Sequence, residues 1–475
     1  MANPLTKGFL ILGVVAGAML TTIAAPNDAP SAASKTVTFY KDVLPILQNN
    51  CQTCHRAGEV APMSLGTYEE TRPWAVAIKQ AVLSKKMPPW YADPRYGHFV
   101  NERKLTPEQI KTLVMWADHG APQGNVKDRP APMHFTEGWN IGKPDVVLEM
   151  PNAFQVPAEG TIDYQYVVMP GNFKQDTWVK AAELRPGNRA VVHHVIAFVR
   201  PPGSPWLKGV EPGVPVAQVP RQANTDGGRE GNRGEGGIIG SEHLVGYVPG
   251  LQPKTLNDDE AKLIPAGSDI VLQLHYTANG TAGSDKTKVG LILAKNPPKL
   301  RNYTMLAPMR NFLIPPYADN YEVKSQVRLQ ETVTLVDLMP HMHFRGKDFT
   351  YQAIFPNGEV QTLLVVPKYD FNWQLQYELA SPIVLPKGTR IECTAHYDNS
   401  PNNPYNPDPT KAVKWGEQTW EEMMIGWFSV AIDPNVKTAG LSKFERPGTR
   451  QDPGTTQEKG TQPNPESGNK PGSLR

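Results

Sequence analysis

Apolar residues recur along this chain at two different spacings, and the change between them divides it. Across 36–123 the spacing is helical: Val43, Leu44, Ile46 and Leu47 mark a helix that starts near Tyr40, and a second is expected over 71–84. Thr106-Pro-Glu-Gln opens a third, with a threonine cap, proline at the first helical position and an acidic residue in the first turn. Beyond residue 143 the apolar runs are short, β-rich and bounded by turn residues, which predicts strands over 145–150, 162–169, 177–184, 190–199, 269–277 and 289–294. Asn296-Pro-Pro breaks that series. A second set follows over 326–338, 373–379, 389–397 and 422–432, with a hairpin turn at Pro356-Asn-Gly358.

These elements predict a multidomain chain. A small all-α domain at 36–123 is followed by a linker at 124–143, rich in proline, glycine and charge. Two all-β sandwiches of jelly-roll type then occupy 144–298 and 299–435. A length of 475 residues suits about three domains, and 47 prolines with 40 glycines suit a loop-rich β protein. Two stretches fall outside the scheme: the glycine- and charge-rich 218–242 reads as a mobile loop, and the tail 446–475 has too few apolar residues to fold. Residues 1–33 carry Lys7, an apolar small-residue run over 8–25 and then a polar stretch, the pattern of an export signal or, if uncleaved, an N-terminal anchor. Thr22-Ile-Ala24 and Ser31-Ala-Ala33 both suit cleavage. The mature chain is expected to be periplasmic or secreted, with membrane contact only if that segment is retained. A net charge of +2 without a basic stripe argues against nucleic acid as a partner.

Candidate chemistry begins with Cys51-Gln-Thr-Cys54-His55, the C-x-x-C-H pattern that attaches one haem c covalently, and on this motif 36–123 resembles a small cytochrome c domain. A thioredoxin-like reading would need a βαβ context, and a zinc site would need a second cysteine pair. His55 is the expected proximal ligand. Met87, before two prolines, is the preferred distal ligand, with Met63 and His98 as alternatives; a methionine there would raise the potential. The chain has three cysteines, so Cys393 is left alone and no disulfide is expected once haem takes the other two.

The second half carries a divided set: His193, His194 and His275, then His341 and His343 in an H-x-H, then Met423. Three histidines followed by two histidines and a thioether are ligands suited to two copper ions. His341 and His343 share a face if their strand stays regular. The adjacent pair His193-His194 points to opposite faces of a regular strand, so joint ligation requires a bulge. Taken singly, each histidine is equally well explained as a packed core residue, and Met423 as a gap filler. The ordered set is what raises the metal reading above these.

His-His, Gln-Leu-His-Tyr, His-x-His and Glu-Glu-Met in this order, over about 143–433, resemble the copper type II monooxygenases. That is the family of peptidylglycine α-hydroxylating monooxygenase and dopamine β-monooxygenase. His341-Met-His-Phe-Arg-Gly-Lys347 is the most specific local match. The resemblance implies two mononuclear coppers facing each other across a cleft between the sandwiches. An electron-transfer copper would sit on His193, His194 and His275, and a catalytic copper on His341, His343 and Met423, with Met424 as competitor for the thioether role. It also implies an enzyme that hydroxylates a substrate C–H bond with O2. The fused haem would bring electrons from an upstream donor to the first copper and then the second.

The chain departs from the family at Met339, where the peptide hydroxylase has an arginine that clamps a carboxylate, and in lacking its disulfides. The substrate is left open between a small molecule and a chain-like one, with Met339, Ile425 and Trp427 pointing to an apolar reacting group. His396 is read as a neighbour of the second site, an extra ligand, a proton donor or a structural residue. Asn399 and Asp408 are candidates for shaping the cleft. His98, His119, His134 and His243 are taken as non-ligands, with His243 the first exception. The rival reading is a haem and copper electron carrier or copper-binding protein that does not hydroxylate.

Overall fold

The computed structural model describes residues 36–57, 59, 61–135, 138–217, 241–248 and 251–445. The N-terminal segment, nearly all of the expected mobile loop and the tail lie outside the described residues. The rest is mostly β structure with a few short helices. Among the described residues no helix is long and apolar enough to cross a membrane.

Among the described residues, helices are confined to the N-terminal part. A wide turn at Phe39–Val43 leads into Leu44–Asn50, which ends at Cys51. The helix expected at 71–84 is interrupted: Tyr68–Thr71 passes through a tight turn at Arg72–Trp74 before Ala75–Leu83. Pro73 lacks the N–H that a continuous helix needs there. Pro107–Asp118 starts as its sequence demands, with Thr106 and Gln109 exchanging side-chain to backbone hydrogen bonds in a capping box. Phe39, Leu47, Leu113 and Trp116 form the fully buried centre of this unit.

The β part is two sandwiches that share a sheet. In an eight-stranded sheet the order is Val146–Glu149, Lys288–Leu293, Thr177–Arg185, Glu260–Ile264, Leu300–Pro308, Ile425–Ile432, Val333–His341, Tyr377–Leu385. Its first half packs against Gln165–Met169, Asp269–Tyr276, Val192–Arg200 and Glu242–Tyr247, and the core between them holds Val167, Val195, Leu272 and Leu291. Its second half packs against a five-stranded sheet, around Leu338, Phe349, Cys393 and Phe428. Sandwiches are found as expected, but they are joined rather than set in series, because Leu300–Pro308 pairs in parallel with Glu260–Ile264 and antiparallel with Ile425–Ile432.

One predicted strand proves to be two. The run 326–338 is split into Tyr321–Leu329 and Val333–His341, because the exposed Glu331 and Thr332 make the turn between them.

Alternation along the strands sorts side chains into three apolar layers. Val167 and Met169 enter the first core, while Tyr166 and Val168 face the other way; Phe428 and Val430 enter the second core, while Ile425 and Trp427 face the other way. The outward sets meet in a third cluster between the sandwiches, with Phe198, Trp206 and Met423. This is why Gln165–Met169 and Ile425–Ile432 are buried at every position. The helical unit is tied to both sandwiches: Trp90 packs on Tyr377 at 4.9 Å, Phe99 bridges to Leu379, and Glu59 pairs with Arg189.

Candidate metal centres

Val192–Arg200 and Asp269–Tyr276 build the first cluster. Their ladder slips by one residue: Val192 faces Tyr276, His194 faces His275, and His193 is the extra residue of a bulge. The bulge supplies the bend that two adjacent histidines need to share a side. Their Nδ1 atoms lie 3.2 Å apart, and one ring nitrogen from each of His193, His194 and His275 falls within 4.8 Å of the others. His275 Nδ1 is buried without a hydrogen-bond partner. Burial pushes the imidazole of His193 down to about 4 and that of His275 to about 3, and it holds His194 well below the ordinary range. All three rings are neutral at neutral pH, the form that ligates metal. Three neutral imidazoles converging in this way are suited to hold a metal ion. The Tyr164 ring braces two of them, at 5.4 Å from His194 and 4.8 Å from His275.

His341 ends Val333–His341, and His343 follows in the next turn. Met342 between them points into the second core, so both histidines face the other way, with ring centroids 5.2 Å apart. His341 Nδ1 donates to Gln374 Oε1 at 2.7 Å, and His343 Nδ1 donates to the Glu421 carbonyl at 3.2 Å. Each ring thus keeps the lone pair on Nε2. His343 Nε2 is buried and unpartnered. Burial pushes His341 down to about 4 and His343 well below the usual range.

Alternation also separates the two methionines. Met424 is fully buried in the second core, whereas Met423 packs with Tyr164, Ile425 and Trp427 between the sandwiches. Met423 lines one cavity together with His194 and His341, so it is the thioether on the side of the histidines.

Glu422, beside Met423, is fully buried. Its carboxylate accepts from the backbone N–H of His343 at 2.9 Å and of Arg345 at 2.6 Å. Burial pushes this carboxyl up to about 8 against the pull of those donors. Arg345, itself 2% exposed, donates to Asn399 Oδ1 and to the Trp420 carbonyl. The H-x-H turn is therefore bound to the segment that carries Met423.

Phe371 stands between the two sets. Its ring stacks on His193 at 5.3 Å and meets His343 edge-on at 6.0 Å. A single aromatic ring spans the gap between the first and second clusters.

In the helical unit, Cys51, Cys54 and His55 follow one another in the turn after Leu44–Asn50, with the backbone N–H groups of Cys54 and His55 both bonded to the Cys51 carbonyl. His55 Nδ1 donates to the Met63 carbonyl at 3.3 Å and leaves Nε2 free. The main chain of Met63 therefore lies behind the His55 ring. Met87 is half-buried at the end of Ala75–Leu83, and exposed His98 sits on the strap that crosses the second sandwich, its carbonyl accepting from Ala380.

His396 has a place of its own. It stands directly opposite Glu322 on one neighbouring strand and Asp348 on the other, with Nδ1 2.7 Å from Asp348 and Nε2 3.7 Å from Glu322. That is a cross-strand charge ladder on the five-stranded sheet. Asn399 is a buried hub under the H-x-H turn, and Asp408 holds its own loop through Thr410 and Lys411. Neither of these two lines the cavity that His194, His341 and Met423 share. Sequence reasoning missed Phe371 and Gln374, which lie in an irregular stretch with no periodic signal, and it passed over Glu422 although that residue adjoins Met423.

No protein-family model matches this chain, and no curated protein matches it. Among solved structures it is similar to infectious bursal disease virus Gx strain, at 10% identity over 63% of this chain and 76% of that one, with a TM-score of 0.16. It is similar also to allantoicase, at 11% identity over 52% of this chain and 79% of that one, with a TM-score of 0.14. Likenesses this slight carry no argument about function.

Proposed function

We propose that this chain is an extracytoplasmic copper-dependent monooxygenase. It would use O2 to hydroxylate a C–H bond of an organic substrate, with electrons entering through a haem c on the helical unit. The observation that carries this reading is the pairing of two sets of buried, neutral imidazoles, one on each sandwich, of which His194 and His341 line a common cavity together with the Met423 thioether. Bound copper supplies one-electron exchange and a coordination position for O2, and haem supplies an electron store.

The chain's own residues do the rest. His193, His194 and His275 offer an all-nitrogen set suited to both copper oxidation states. His341, His343 and Met423 add a soft sulfur that favours the reduced one. Gln374 and the Glu421 carbonyl fix the ring orientation of the second pair, as hydrogen-bonded partners of metal-binding histidines do. Tyr164 packs on His194 and His275, and Phe371 on His193 and His343, so aromatic rings back both sets. His55, with Nδ1 on a carbonyl, keeps its Nε2 lone pair and would hold the haem iron, and Cys51 and Cys54, just before it, would supply the thioether attachments. Met87, before Pro88 and Pro89, remains the preferred distal ligand, with Met63 and His98 as the alternatives.

The test is copper and haem content per mature chain, with the EPR spectrum of the oxidised protein and of Met423→Ala. Two coppers per haem, one of them altered by the substitution, are expected. No copper, or a single copper indifferent to Met423, would sink the proposal. Oxygen uptake that depends on substrate separates a hydroxylase from an electron carrier.

A further inference from the structure

The cavity between the sandwiches has two unlike ends, and strand alternation sets them apart. Along one strand the residues facing it run His341, Met339, Asp337, and along the next Met423, Ile425, Trp427, Ser429. At about 3.3 Å per residue, Asp337 lies roughly 13 Å from His341. The ligand end is thus followed by an apolar stretch and then by a polar end.

The polar end carries an unmet hydrogen-bonding group. His243 Nε2 is buried and has no partner. The His243 ring lies 5.8 Å from Trp427 and 6.1 Å from Phe198. Gly246, also in the cavity wall, leaves the space beside it open; a Cβ there would come within 3.5 Å of Nε2. An unpaired buried polar atom costs about 1–3 kcal/mol, which a bound hydrogen-bonding group would recover.

The charges around this end are already matched. Lys254 pairs with Glu378 at 2.9 Å. Lys262 donates to the His243 carbonyl at 2.8 Å and to Thr304 Oγ1 at 3.0 Å, and it faces the charge of Asp337. Beside Lys262, Glu242 pairs with Arg301 at 2.6 Å, so three cations stand against three carboxylates, and a charged ligand would add an uncompensated charge in a desolvated place. Size sets the other limit. The cavity measures about 120 Å³, a little less than the ~150 Å³ that accommodates benzene.

We propose that this cavity binds small uncharged organic molecules, with one hydrogen-bonding head on His243 Nε2 and an apolar body about the size of a benzene ring directed toward His341 and Met423. The proposal deepens the monooxygenase reading and rests on it for the view that the occupant is substrate.

The test uses the full chain, prepared free of metal, and four probes of matched size: benzyl alcohol, toluene, benzoate and benzylamine, each titrated by calorimetry. Benzyl alcohol is expected to bind about tenfold tighter than toluene, the worth of one net hydrogen bond. His243→Leu should erase that margin by weakening the alcohol alone. Benzoate and benzylamine should bind at least about tenfold more weakly than the alcohol. Equal binding of alcohol and toluene, or equal weakening of both by His243→Leu, removes His243 as the anchor. Tighter binding of either ion overturns the uncharged class. If His243→Leu does not fold, the ranking on the unsubstituted protein decides. Because no metal is present, failure here leaves the copper count untouched, and a protein without copper can still pass.

Discussion

His194 faces His275 across neighbouring strands, and both rings are buried among apolar and aromatic side chains. Burial holds His193 and His341 down to about 4, and His243 and His275 down to about 3. In the unfolded chain these groups take up protons near the ordinary value of about 6.5. Between about 6.5 and 4 these imidazoles make the unfolded state bind more protons than the folded one, a contribution that raises stability with pH and outweighs the opposing proton on Glu422, whose carboxyl is pushed up to about 8. The metal-free protein should lose stability steadily as pH falls from 6.5 toward 4, measured as denaturant midpoints at a series of pH values. A midpoint flat across that window would show the rings to be solvated. In the presence of copper the fall should be steeper, because protons and metal compete for the same lone pairs.

The elements act through their defects as much as their regularity. The bulge at His193 turns two adjacent histidines to one side, and the turn after Val333–His341 places His343 against Glu422. Glu422→Ala would leave the two buried backbone N–H groups of His343 and Arg345 without their acceptor and remove the carboxylate 4.0 Å from the Arg345 guanidinium. The expected loss is about 2–5 kcal/mol, read from chemical denaturation, together with weaker copper binding at the second set and unchanged binding at the first. Equal loss at both sets would show a global rather than a local effect. The need for the bulge was legible in the sequence, because side chains alternate along any strand and His193 and His194 are adjacent. That Glu422 would supply the clamp was not legible, since a glutamate beside a methionine looks the same whether it is buried or solvated.

The joined sheet governs the molecule as a whole. Leu300–Pro308 belongs to one ladder with strands of both sandwiches, and the cluster around Trp427 and Phe198 fills the space between them. Neither sandwich can unfold without exposing the other's flank. We therefore expect the two to unfold in a single transition, with tryptophan fluorescence and far-ultraviolet circular dichroism of the β signal giving coincident midpoints. Two separated transitions would show that the shared sheet is too weak to couple them. The same joint fixes the first and second histidine sets relative to each other.

Several features were written in local order. Helical spacing before residue 123, strand alternation after 143, the C-x-x-C-H turn, the Thr106 cap, the adjacent pair His193-His194 and the H-x-H of His341 and His343 depend on residues close together in the chain, where propensity and periodicity act. Other features arose from contacts between distant segments. Strands apolar on both faces, such as Ile425–Ile432, do not reveal which face meets which layer, so the third apolar cluster could not be read in advance, and the sequence favours Met423 over Met424 on its place after Glu421-Glu422 rather than on the layer it enters. Nor could the pairing of His396 with Glu322 and Asp348, or the meeting of His243, Lys262 and Asp337 at one end of a cavity. Local spacing settles which way a side chain can point along its own strand; what it then meets depends on packing between strands far apart in sequence, and that packing is set by the fit of whole faces.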